Sequence, residues 1–209
     1  MLLDLNKLIE KYNLKINGVL HVGAHYGQEY DLYEKNNIKN LIFFEPVPET
    51  FNVLKKNLDT KVILINKALG NTNGKISMNI ETANNGQSSS ILEPEIHLKQ
   101  YPHIKFNNKI EVEIVKMDDF FKNEKYLNVY DYNMINIDVQ GYELEVFKGS
   151  EETLKNIDYI VTEVNRDNVY RNCVLVDELD DFLNKFNFIR IETSWDGFTW
   201  GDAFYMKNK

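Results

Sequence analysis

Three five-residue runs constrain this chain most: LIFFE at 41–45, MINID at 134–138 and YIVTE at 159–163. Each is apolar at nearly every position, so neither face can be left to water. A strand with one wet face alternates apolar and polar residues, whereas strands buried on both faces belong to parallel sheets covered by helices on each side. Similar short runs fall at 18–22, 62–66, 188–192 and 203–206, and helical patterns at 28–35, 48–57, 143–155 and 174–186 lie among them. Alternation of this kind predicts βαβ units and a doubly wound α/β fold. Each of the three runs also ends on an acid: Glu45, Asp138 and Glu163.

The rhythm breaks between residues 69 and 116. This stretch holds NTNGKISMNIETANNGQSSS, rich in Asn, Ser and Gly. It predicts a turn, a strand at 75–80, a loop at 81–90 and a second strand at 110–115 that pairs with the first. Long connections inside compact domains are usually functional or disordered.

Length sets the domain count. At 209 residues the chain is read as a single domain over 1–209, opened by a helix at about 2–13 and carrying an insertion at about 70–116 that shapes an acceptor pocket. The formal net charge of -8 argues against sequence-independent nucleic-acid binding, which depends on Lys and Arg neutralising phosphates. The single cysteine, Cys173, excludes an internal disulfide and suits a reducing compartment. No run approaches the roughly 20 apolar residues of a membrane span, and no apolar signal block stands at the start. The expectation is a cytoplasmic protein without a membrane span; the pattern says nothing about oligomeric state.

The first strand runs into VGAHYGQE. A Gly-rich strand-to-helix turn offers backbone N–H groups at the carboxyl end of a parallel sheet, where ligands of such sheets bind. Glu45 stands 22 residues after Gly23, and an acid about 20 residues past such glycines is suited to the hydroxyls of a ribose. The pair predicts a nucleoside cofactor, although a turn of this kind can also be a plain connection. The pattern is G-A-x-x-G rather than G-x-G-x-x-G. The ending, TSWDGFTWGDAFYMKN, reads as a hairpin added to the sheet, as in class I methyltransferases that use S-adenosylmethionine.

Taken together, VLHVGAHYGQE, FFEPVPETFNVLKKNL, NKALGNTNG, SSSIL, VKMDDFF, INIDVQGYELEVFKGSEETL and WGDAFYMK resemble the FkbM family of methyltransferases, in family order and over nearly the whole chain after the first helix. The resemblance implies a seven-stranded, mostly parallel Rossmann-like sheet of order 3-2-1-4-5-7-6, with the last strand antiparallel and helices on both faces. It implies S-adenosylmethionine as cofactor and O-methylation of a hydroxyl on a small molecule or glycan, a sugar hydroxyl first among them. Carried over by position, Gly23, Ala24 and Gly27 approach the methionine moiety, Glu45 binds the ribose with Pro46 and Val47 beside it, and Ala68 and Leu69 meet the adenine. His21 stands where the family often has an acid for the methionine ammonium, so Asp138 is the candidate to supply that charge.

Methyl transfer to a hydroxyl needs alignment and a base for the departing proton. Asp138 and Glu163 end strands that open onto the cofactor crevice, and His25 sits at its mouth; these are the candidate catalytic groups. Ser88, Ser89, Tyr142, Asn165 and Trp195 are the candidate acceptor contacts, with Tyr101, Tyr170 and Trp200 as further sugar-stacking rings. Asp138, Glu163 and Asn165 form an oxygen set of the type that Mg²⁺ or Mn²⁺ prefers, a secondary possibility beside a metal-free site. Two other functions fit the same fold: a nucleic-acid 2′-O-methyltransferase, disfavoured by the acidic charge and by Glu163 where a Lys would be wanted, and a non-catalytic interaction module.

Overall fold

The computed structural model describes residues 2–58 and 62–208. The termini of the expected domain, residues 1 and 209, lie outside them. The strands are β1 (Gly18–Val22), β2 (Asn40–Phe44), β3 (Ile63–Ile65), β4 (Ala68–Leu69), β5 (Gly74–Glu81), β6 (Phe106–Val115), β7 (Met134–Ile137), β8 (Tyr159–Asn165), β9 (Phe188–Asp196) and β10 (Trp200–Lys207). The helices are α1 (Leu5–Tyr12), α2 (Tyr30–Lys35), α3 (Pro48–Asn57), α4 (His97–Gln100), α5 (Met117–Asn123), α6 (Glu143–Lys148), α7 (Glu151–Leu154) and α8 (Val176–Asn184).

The main sheet has seven strands in the order β3-β2-β1-β7-β8-β10-β9. Counted within that sheet alone, this is the expected 3-2-1-4-5-7-6. The first five strands pair in parallel, and β10 runs antiparallel to both β8 and β9. Both faces are apolar, as the three runs require. Leu20, Val22, Ile42, Phe44, Ile135, Ile137 and Ile160 pack one face against α5 to α8. Val19, Leu41, Phe43, Met134, Val161 and Phe204 pack the other against α1 to α3. A second, three-stranded sheet, β4-β6-β5, sits beside the first. Its antiparallel β5–β6 ladder realises the expected pairing of 75–80 with 110–115.

Period-two alternation on the second face has one further effect. His21 pairs in register with Asn136 across β1–β7, and Glu163 with Asp202 across β8–β10. Side chains two apart share a face, so these four polar residues lie on the face of Met134, Val161 and Phe204. They are buried at 2–5% exposure and cluster toward the carboxyl ends of the parallel strands.

Several helix bounds differ from expectation. The helix read over 143–155 is two helices. A Cβ on Gly149 would sit 1.9 Å from the Gly70 carbonyl oxygen, so the chains cross where no side chain fits. The new start of α7 is capped from outside: the Asp118 carboxylate accepts the Glu152 and Thr153 N–H groups at 2.9 and 2.8 Å. Asp118 lies in VKMDDFF, whose helix α5 was not anticipated, nor was the short α4 inside the irregular region. The strands of the closing hairpin run longer than read, to Asp196 and from Trp200. Among the described residues no helix is long and apolar enough to cross a membrane.

Candidate active site

The opening turn is built differently from a simple anion cradle. Gly23 has φ of +81°, and a Cβ there would lie 2.0 Å from the Asp138 carbonyl oxygen. Glycine is required because the ends of β1 and β7 nearly touch. The turn's amides are already used: Gly23 and Ala24 donate to the Phe44 carbonyl at 3.0 and 2.9 Å, and Gly27 donates to Ala24 at 2.8 Å. Gly27 itself faces α3, where a Cβ would meet Leu54 at 2.8 Å and Leu58 at 3.0 Å. It packs a helix rather than lining the cleft, contrary to the role carried over for it.

Glu45 is held by the same turn. One carboxylate oxygen accepts the His25 N–H at 2.9 Å and the other accepts the Val47 N–H at 2.8 Å. Each oxygen of a carboxylate offers two acceptor positions, so each retains one. Burial pushes this carboxyl up to about 7, against the pull of the two N–H bonds. A buried acid with spare acceptor positions is stabilised as the anion by added donors such as a pair of hydroxyls.

Asp138, Glu143 and Glu163 bring carboxylate oxygens within 4.8 Å of one another. The Gln140 amide sits among them and donates to Asp138 at 2.7 Å and to Glu163 at 2.9 Å. It adopts φ of +57°, its amide oxygen accepts the Tyr170 hydroxyl at 2.8 Å, and its backbone carbonyl accepts Ser90 Oγ at 2.7 Å. Glu143 accepts the Val139 and Gly141 N–H groups at 3.0 and 3.2 Å, while its other oxygen is buried without a partner. Burial raises Glu143 to about 7. Burial, then the nearby Asp138, Glu143 and Asp202 carboxylates, raises Glu163 well above the ordinary range. Asp138 is raised in the same way, by its crowded surroundings and by Asp202, yet its side chain faces the open cleft.

Two histidines take defined states. The Tyr33 hydroxyl accepts from the Asn136 amide at 2.6 Å and is hydrogen-bonded to His21 Nδ1 at 3.0 Å. His21 Nε2 lies 3.9 Å from a Glu29 carboxylate oxygen. Burial holds His21 below its ordinary value and hence neutral. His25 is engaged at both nitrogens, by Gln28 at 2.8 Å and by the Asn85 carbonyl at 2.9 Å. With no free lone pair, it is not placed to act as a base in this arrangement.

These groups line one cavity of about 730 Å³. His21, Gly23, Ala24, His25, Glu29, Asp138, Gln140, Glu163 and Asp202 form its inner half; Ser88, His97, Tyr101, Asp196 and Trp200 form its outer half. A narrow slot of about 60 Å³ branches from it past Glu45, Pro46, Val47, Ala68, Leu69 and Met78, roofed by Gly86, Gln87 and Ser89.

A family model described as the methyltransferase FkbM domain matches residues 21–190. The chain belongs to the FkbM methyltransferase family. It is 27% identical over 179 residues to the 2-O-methyltransferase NoeI of Sinorhizobium fredii, covering 82% of this chain and 72% of that protein. It is 26% identical over 129 residues to the hexuronic acid methyltransferase AglP of Haloferax volcanii, covering 60% of this chain but only 47% of the relative. In fold it matches magnesium protoporphyrin IX methyltransferase from Synechocystis, a structure with bound S-adenosylmethionine, at a TM-score of 0.53 and 9% identity over 97% of this chain and 76% of that one.

Within this FkbM chain the foreseen site residues divide. His21, Gly23, Ala24, Glu45, Pro46, Ala68, Leu69, Ser88, Ser89, Asp138 and Glu163 all border the cavity or its slot. Tyr142, Asn165 and Trp195 do not. Tyr142 packs against Gly70 and the second sheet, Trp195 is covered by the Arg166 guanidinium at 3.6 Å, and the Asn165 amide is fully buried with both polar atoms unpartnered. Among the described residues, Asp138, Glu143 and Glu163 form an acidic group whose oxygens lie close enough together to hold an ion. Gln140, Glu29, Asn136, His97 and Asp202 were missed. Gln140 and Asp202 sit inside the quoted motifs, but only the fold shows which way they point.

Proposed function

We propose that this chain is an S-adenosylmethionine-dependent O-methyltransferase acting on a sugar hydroxyl. The observation that carries the reading is the Asp138–Gln140–Glu163 array, which lies on the floor of the cavity that also opens to Glu45. The chain's residues fit the cofactor. Glu45 keeps one acceptor position on each oxygen for the two ribose hydroxyls, the apolar walls of Val47, Ala68, Leu69 and Met78 suit an adenine, and Glu29 with Asp138 offers negative charge for an ammonium. When bound, S-adenosylmethionine supplies an electrophilic methyl group.

The protein's part is orientation and proton removal. A sugar hydroxyl is a very weak acid, so a base of raised pKa is better matched to it than an ordinary carboxylate. Burial and like charges give Glu163 that property, and crowding with the nearby Asp202 carboxylate raises Asp138 in the same direction. Gln140 fixes both carboxylates with one amide, and Tyr170 fixes Gln140 in turn. Holding the hydroxyl in line supplies much of the remaining acceleration. The insertion carrying Ser88, His97 and Tyr101 forms the acceptor side of the cavity on this reading.

The names of NoeI and AglP support a sugar-type acceptor, and the ligand in the Synechocystis structure supports the cofactor. A nucleic-acid acceptor is disfavoured because no Lys or Arg among the described residues lines the cavity. Calorimetry with S-adenosylmethionine, followed by mass detection of methyl addition across sugar acceptors, tests the reading. Cofactor binding with transfer to a sugar supports it. Absence of binding points to the non-catalytic module, and binding with transfer only to other acceptors overturns the sugar assignment.

A further inference from the structure

The outer half of the cavity has a definite chemical character. Its walls come from α4 and the segment after it, through His97, Tyr101, His103 and Ile104, and from the β9–β10 hairpin, through Asp196 and Trp200. The two large rings are locked together: Trp200 Nε1 donates to the Tyr101 hydroxyl at 3.1 Å, and Gln100 ties the base of the same wall to Thr199 at 2.8 Å. Rigid aromatic faces with a polar edge suit the mixed apolar and hydroxyl surface of a pyranose. His97 borders the cavity at 4% exposure, with its Nδ1 unpartnered. Burial holds its imidazole below its ordinary value.

The charged lining side chains are acidic. Among the described residues lining the cavity are five carboxylates, Glu29, Asp138, Glu163, Asp196 and Asp202, and no lysine or arginine. Lys67 borders only the slot, where Glu113 holds its ammonium at 2.8 Å. Arg166 is drawn away over Trp195. An anionic acceptor would thus meet these carboxylates with no lysine or arginine of the lining to receive it, whereas hydroxyl groups would find acceptors in the same carboxylates.

Building on the sugar O-methyltransferase reading, we propose that the acceptor is an uncharged glycoside and that the site discriminates against uronates and phosphorylated sugars. The selection is made by repulsion from Asp196, Asp202 and the Asp138–Glu163 pair, acting on a ring seated against Tyr101 and Trp200. This separates the chain from a relative whose name specifies a hexuronic acid.

The test uses the full chain at pH 8, where free imidazoles are neutral. Methyl glycosides of hexoses are compared with the matched methyl uronates and hexose 6-phosphates, by methyl transfer and by calorimetric binding to the protein loaded with S-adenosylhomocysteine. The neutral member of each pair should be preferred by at least about 100-fold in kcat/KM and should bind where the anionic one does not. Asp196→Lys should narrow the gap by about tenfold or more, through the anionic member. A uronate or phosphate used as well as its neutral partner, or an unchanged gap in Asp196→Lys, overturns the inference while leaving the sugar reading in place. Cofactor binding with no transfer to either class overturns both.

Discussion

Replacing Glu163 by Gln should make the protein more stable and less active at the same time. The carboxylate oxygens of Asp138, Glu143 and Glu163 lie within 4.8 Å of one another, and at an effective dielectric of about 20 two unit charges at that distance repel by roughly 3 kcal/mol. Glu163 is buried, and its pKa is raised first by burial and then by its acidic neighbours. Its folded pKa therefore lies above its unfolded one. The associated stability is fully present below the unfolded value, the ordinary 4.5 of a glutamate, and is lost as pH rises through the folded value. The substituted side chain retains an oxygen to accept from Gln140 and removes one charge from the cluster. Partial protonation and relaxation reduce the relief, so a gain of about 2–3 kcal/mol at pH 8 is expected, shrinking below about 1 kcal/mol at pH 5. For a chain of this size that corresponds to about 5–10 °C in Tm at pH 8. Urea and thermal unfolding of the two proteins at pH 5 and pH 8 measure it, and turnover at pH 8 should fall by about 10²- to 10⁴-fold. Equal stability at pH 8, or a gain just as large at pH 5, would refute the electrostatic reasoning. Native turnover would remove Glu163 from the role of base.

Four other outcomes are expected. Glu45→Ala should weaken S-adenosylmethionine by about 10- to 100-fold, since hydrogen bonds to a charged acceptor contribute about 1.5–3 kcal/mol; unchanged calorimetric affinity would remove Glu45 from the ribose site. Glu29→Gln should weaken S-adenosylmethionine but not methylthioadenosine, which lacks the ammonium; equal loss for both ligands would show that Glu29 acts on the fold instead. His25→Ala should retain turnover to within about tenfold, because both ring nitrogens are already engaged; a loss like that of Glu163→Gln would restore it as base. Activity should persist in excess chelator, because the Gln140 amide already bridges Asp138 and Glu163 where a cation would bind; abolition by chelator with recovery in Mg²⁺ or Mn²⁺ would establish a metal at the cluster of Asp138, Glu143 and Glu163.

The sheet was legible in the sequence because its signal is local. LIFFE, MINID and YIVTE declare strands buried on both faces, and each terminal acid falls at the carboxyl end of a parallel strand, the edge where such sheets bind ligands. Glu45, Asp138 and Glu163 were found by that rule, and all three border the cavity or its slot. Roles that depend on contacts between distant segments were not legible. The break of the 143–155 helix depends on Gly149 meeting Gly70, the engagement of His21 depends on Tyr33, itself held by Asn136, and the engagement of His25 depends on Asn85 in a loop 60 residues away. The aromatic wall of the acceptor side likewise joins α4 to the last hairpin, 99 positions apart along the chain. Strand and helix periodicity set which face a residue occupies. Only packing of the two sheets and their loops decided which of those faces meet, and with what charge.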